Sequence, residues 1–147
     1  MVLGIGEGSI EILIGSNTFH EGGEIKGSVR LTLSQPTPAN ALGVRFYGII
    51  KRSKNRTETI SLVTQYLGQK RTYNTGEQFE FSLQIPPNAI PKNPFTGIVG
   101  TLYGAFSPHP KWYLDAGLDM PMKFDIRRKI SINLLPNPAQ NANNKPV

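Results

Sequence analysis

The chain has 147 residues, no cysteine and a formal net charge of +6. That length predicts one domain able to bury a core without staples. Lack of thiols excludes disulfides and thiolate metal sites, and with no basic-then-apolar leader and no apolar run near the roughly 18 residues that span a bilayer, the expected location is a reducing cytoplasm.

Residues 1–8 are glycine-rich and read as a flexible lead-in. Ile10, Ile12 and Ile14 then alternate with polar neighbours, the period of a half-buried strand. Gly15-Ser16-Asn17 is a turn signal, and Phe19 is expected to return to the core. The cleanest strand follows: Ile25, Gly27, Val29, Leu31 and Leu33 share one face, and Lys26, Ser28, Arg30 and Thr32 the other. Gln35-Pro36-Thr37-Pro38 should stop it, because proline cannot donate to a ladder.

The stretches 41–51 and 57–67 fit strand and helical spacing almost equally. Gly43, Gly48 and the β-branched residues Thr57, Thr59, Ile60, Val63 and Thr64 favour strand. A basic loop over 51–56 would join them as a long hairpin. Asn74-Thr75-Gly76 predicts another turn, and Phe79, Phe81, Leu83 and Ile85 another strand face. Four prolines, Pro86, Pro87, Pro91 and Pro94, then predict a rigid extended loop. Ile98, Leu102, Ala105 and Phe106 recur at helical spacing behind Thr96, so a short helix over 96–106 is expected, covering an open sheet edge.

Trp112, Leu114, Ala116 and Leu118 alternate with Tyr113, Asp115, Gly117 and Asp119, and Phe124, Ile126, Ile130, Ile132 and Leu134 continue the pattern around the run Arg127-Arg128-Lys129. Residues 135–147 hold three prolines and four asparagines, too little apolar surface to offset ordering entropy. The expected organisation is therefore a domain over 1–134 and a disordered tail over 135–147. About eight strands with short turns predict an all-β fold, two antiparallel sheets packed face to face.

Three stretches carry a resemblance. The run from Glu21 to Val29, followed by Pro36, by Leu42, Val44 and Phe46, and by the pair Tyr47-Gly48, resembles a strand opening of arrestin-fold domains. The run from Gly76 to Pro86 is similar to a second motif of that family, and the run from Trp112 to Pro121 resembles its late strand. Together they cover roughly residues 9–134 and resemble one lobe of microbial arrestin-like and sporulation-control relatives. The resemblance implies an immunoglobulin-like, arrestin-type sandwich acting as a non-catalytic adaptor that binds a protein partner through sheet edges and loops. It also implies a homodimer in which a second copy stands in for the missing lobe.

Catalytic chemistry finds no support in the residues. His20 and His109 are far apart, whereas zinc needs three or four ligands, and Glu21, Glu24 and Asp115 read as solvent-facing. No nucleophile elbow is present, and Gly4-Ile5-Gly6-Glu7-Gly8 follows no strand, so it is no dinucleotide fingerprint. No enzyme activity, metal or cofactor is expected. The candidate binding residues are Lys51, Arg52, Lys54, Arg56, Lys70 and Arg71, opposed in that stretch by Glu58. Such a cluster suits an anionic partner, membrane lipid headgroups or nucleic acid, or else simply keeps the surface solvated. Aromatic interleaving of the kind single-stranded nucleic acid prefers is thin, with Tyr66 and Tyr73 nearby. A structural assembly subunit is the remaining alternative.

Overall fold

The computed structural model describes residues 8–91, 109–121 and 125–137. Ten strands form among the described residues: β1 (Gly8–Ile14), β2 (Thr18–His20), β3 (Glu24–Leu33), β4 (Thr37–Ala39), β5 (Ala41–Ser53), β6 (Arg56–Gly68), β7 (Arg71–Tyr73), β8 (Gln78–Gln84), β9 (Lys111–Asp119) and β10 (Ile126–Leu135). One layer has the order β1-β3-β8, the other β2-β10-β9-β5-β6, and β4-β7 is a small ribbon. The fold is the expected all-β sandwich.

Alternation builds the core. Ile10, Ile25, Val29 and Leu31 from the first layer meet Leu42, Val44, Phe46, Leu114 and Leu118 from the second, and all are fully buried. Burying each such side chain stabilises by about 1.5–3 kcal/mol. Phe46 and Trp112 stack nearly parallel, with centroids 5.4 Å apart. Gly48 stands opposite Trp112 on the neighbouring strand and leaves room for its ring.

The ends of the layers are tied together by side chains. Gln65 on β6 accepts a hydrogen bond from the Ser82 N–H of β8 at 2.9 Å, and Arg128 on β10 donates to the Ile10 carbonyl of β1 at 3.0 Å. In the turn before β8, Gly76 takes φ +85°, a conformation that disfavours any residue with a Cβ.

The structure differs from the sequence expectations at definite places. The hairpin is tighter than a loop over 51–56: β5 runs to Ser53 and β6 starts at Arg56, so Lys54-Asn55 alone makes the turn. Lys51, Arg52 and Arg56 therefore lie on strands. β3 does stop at Leu33, ahead of Gln35-Pro36-Thr37-Pro38 as expected, but Pro38 then sits inside a further short strand, β4, opposite Thr72. β2 pairs parallel with β10, which continues through Leu135, one residue past the expected boundary. Three-residue strands such as β2, β4 and β7 are too short to show a period.

Glu21 and Asp115 are not solvent-facing; each is 6% exposed. Glu21 accepts the N–H of Ile90 at 2.9 Å and that of Asn137 at 3.0 Å, joining the loop after β8 to the chain after β10. Gly8, the last residue of the expected lead-in over 1–8, is already in β1 opposite Leu33; the rest of that lead-in, the helix over 96–106, the contribution of Phe124 and the tail beyond 137 lie outside the described residues.

Candidate functional site

The second layer turns one face to the core and the other outward. Strand register places outward side chains in rows across β10, β9, β5 and β6. One row is Lys129, Asp115, Arg45 and Thr64; the next is Arg127, Gly117, Gly43 and Tyr66; on the other side Ser131, Tyr113 and Tyr47 follow.

Asp115 is the centre of this face. Arg45 donates to its Oδ2 at 2.8 Å, and an Arg127 nitrogen lies 3.5 Å from the same oxygen. Arg127 also reaches Asp125 at 3.4 Å. Asp115 Oδ1 is buried with no hydrogen-bond partner, a costly arrangement that the two flanking cations offset. A carboxylate so placed anchors the Arg45 guanidinium by a hydrogen bond and holds that of Arg127 nearby by charge.

Aromatic rings complete the face. Tyr47 and Tyr113 tilt together at 5.8 Å, Arg45 lies 5.6 Å from the Tyr47 ring, and Lys129 Nζ is 4.8 Å from the Tyr113 ring. Burial, reinforced by the charge of Asp115, pushes the Tyr47 hydroxyl pKa up, so it stays protonated and able to donate. Where Gly43 and Gly117 stand opposite each other a trough of about 290 Å³ opens, lined by Arg45, Tyr66, Asp119, Asp125 and Arg127 among others.

The basic residues singled out in the sequence are not one patch. Lys51, Arg52, Lys54 and Arg56 gather at the tip of the β5-β6 hairpin. Lys70 and Arg71 lie beyond the other end of β6, roughly 35–40 Å along the strand at about 3.3 Å per residue. Among the described residues, two of the six charges have ion-pair partners. Arg52 pairs with Glu58 at 2.7 Å, and Arg71 makes a two-pronged pair with Glu77 at 2.7 and 3.2 Å while stacking 4.0 Å from the Tyr73 ring. Lys51, Lys54 and Arg56 have no ion pair among the described residues.

Among the described residues, no three histidine, aspartate or glutamate side chains gather as metal ligands. No helix among them is long and apolar enough to cross a membrane.

No family model matches the chain, and no curated protein matches it. Among solved structures it is similar to Spo0M, a sporulation control protein from Bacillus subtilis, with a TM-score of 0.66 at 14% sequence identity. The likeness is one of fold. The match covers 91% of this chain and 51% of that one, so this chain spans about half the length of its structural neighbour. The arrestin-like sandwich expected from the three motifs is therefore the fold of this protein.

Sequence reasoning missed the outward face. Its residues were visible as the polar half of each alternating strand, but nothing local says that Arg45, Asp115 and Arg127 become neighbours, since they are paired only by register.

Proposed function

We propose that this chain is a non-catalytic, arrestin-like adaptor that holds a protein partner on the outward face of its five-stranded layer. The observation that carries the reading is the buried Asp115 on a face otherwise turned to solvent. Its one visible task is to hold Arg45 and Arg127 in place. Arginine and tyrosine dominate the energetics of protein interfaces, and ordering them beforehand lowers the cost of binding. Three of the five tyrosines of the chain, Tyr47, Tyr66 and Tyr113, stand on this face, which favours a protein partner over a small ligand.

The test is affinity capture with the full chain and its Tyr113→Ala and Arg127→Ala variants, each checked for an unchanged far-ultraviolet spectrum. One protein retained in stoichiometric amount by the parent and lost from both variants is expected. Retention of no protein, together with turnover of hydrolase substrates by the pure chain, defeats the reading.

The second reading, an anionic-surface binder, is supported by the hairpin tip, where Lys51, Lys54 and Arg56 project without ion-pair partners among the described residues. Binding of this kind to anionic lipid vesicles or an oligonucleotide must fall steeply with salt and must disappear in Lys51→Glu/Lys54→Glu. Binding that persists in that variant removes this reading.

A further inference from the structure

Strand β6 closes one side of the five-stranded layer and has no strand on its far side among the described residues. It is 13 residues long. Edges of that length are usually guarded by lysine, proline or inward charge, because an open row of backbone donors and acceptors templates pairing with another chain. From Thr59 to Gln69 there is no such charge or proline, and the one irregularity of β6 in that run before Leu67 is the register shift at Ser61-Leu62. Two large apolar side chains stand out from it, Leu62 at 53% and Tyr66 at 75% exposure.

The inward residues of the strand are already engaged. Ser61, at φ 56° beside a register shift, donates its hydroxyl to the Ala89 carbonyl at 2.7 Å, and Gln65 holds the edge of β8. The exposed set is Leu62, which lies within that register shift, and Thr64 and Tyr66, where pairing with β5 is regular from Val63 to Tyr66.

We propose that the β6 edge takes the β6 edge of a second copy of this chain, antiparallel, about a two-fold axis through Thr64. The strand is complementary to itself in this register. Thr64 faces Thr64 of the copy, Leu62 of each copy faces Tyr66 of the other, and aliphatic–aromatic pairs of this kind stabilise neighbouring strands. Near the ends, Glu58 of each copy approaches Lys70 of the other, and no two like charges are opposed across the uncharged run. An isologous contact closes on itself, so two copies end the assembly instead of starting a fibre. The joined layers form one continuous sheet whose outward faces, with their arginines and tyrosines, lie side by side. Thr64 and Tyr66 border both the face and the edge, so the two readings are separated by readout and by variant: partner capture at Tyr113 and Arg127 tests the face, and self-association at Leu62, Thr64 and Tyr66 tests the edge.

The experiment is analytical ultracentrifugation of the full chain from low micromolar to near-millimolar concentration, with charge-swapped pairs. Leu62→Lys/Tyr66→Lys sets like charges opposite each other across the axis and should weaken association at least tenfold. Leu62→Lys/Tyr66→Glu sets opposite charges there and should restore it. Within one copy the two positions lie roughly 13 Å apart, too far to pair. A parent chain that is monomeric throughout, or two variants that behave alike, overturns the proposal.

A second measurement does not depend on how those variants fold. The chain has no cysteine, so Thr64→Cys adds one thiol, which the axis brings against its own copy within reach of a disulfide. Mild oxidation should link Thr64→Cys into a covalent dimer and leave Thr59→Cys, whose copies lie far apart along the joined strands, unlinked. Equal linking of both refutes the register.

Discussion

Gly48→Ala tests the packing that supports the outward face. A Cβ built at Gly48 falls 2.6 Å from Cζ3 and 2.8 Å from Cε3 of Trp112. Carbon atoms in good contact sit about 3.5–4.0 Å apart, so the ring must retreat by about 1 Å. It has little room to do so, because it is stacked on Phe46, which is fully buried. Overpacking of this kind costs about 1–3 kcal/mol, and the lower backbone entropy of alanine returns about 0.5–1 kcal/mol. A net loss of about 1–2 kcal/mol follows. With an unfolding entropy near 2.1 cal/mol/K per residue, that corresponds to a fall in Tm of about 3–6 °C for a chain of this size. Trp112 is the only tryptophan, so its emission reports directly on the perturbed site. Urea titration followed by tryptophan fluorescence gives the midpoint and the shift together. Gly15→Ala is the control, since a Cβ there meets nothing within 4 Å. It should be neutral or slightly stabilising. A Gly48→Ala protein as stable as the parent, with unshifted emission, would show that the reasoning about this contact is wrong.

Glu77→Gln should reshape the acid limb of stability. Hydrogen bonds from Arg71 first, and from the Asn74 N–H next, hold the Glu77 carboxyl below its ordinary value. The contribution is therefore complete above the unfolded value of about 4.3 and is lost as pH falls through the lower folded value. Discounted for solvent at this partly exposed pair, the substitution should cost about 1 kcal/mol at neutral pH and much less at pH about 3. Urea midpoints at both pH values check this, and an equal loss at both refutes it. Glu21→Ala removes the acceptor of two backbone N–H groups, at a cost of about 1–3 kcal/mol. Hydrogen exchange at Ile90 and Asn137 should accelerate well beyond that of the core amides, and uniform acceleration would count against a local tie.

The alternating strands were legible from the chain alone. In β3, β8 and β9 one apolar face alternates with one polar face, and burial follows it at Val29, Leu31, Phe81, Leu83, Leu114 and Leu118. Period two is a local property: once a segment is extended and one layer meets another, which side faces inward is already decided. The same logic chose strand over helix for β5 and β6, where β-branched residues outweighed an ambiguous spacing.

What the chain could not announce is which residues meet. Asp115 reads as an outward, solvated acid by alternation, yet the pairing of β9 with β5 and β10 sets Arg45 and Arg127 over it and closes it from water. Lys70 and Arg71 look continuous with the basic hairpin in sequence, yet an extended strand carries them to its opposite end. Glu21 gains its partners from a loop and from the end of β10, both distant along the chain. Charge, hydrogen bonding and exposure depend on neighbours in space, and in a sheet those neighbours are chosen by strand order and register, which only the folded molecule specifies.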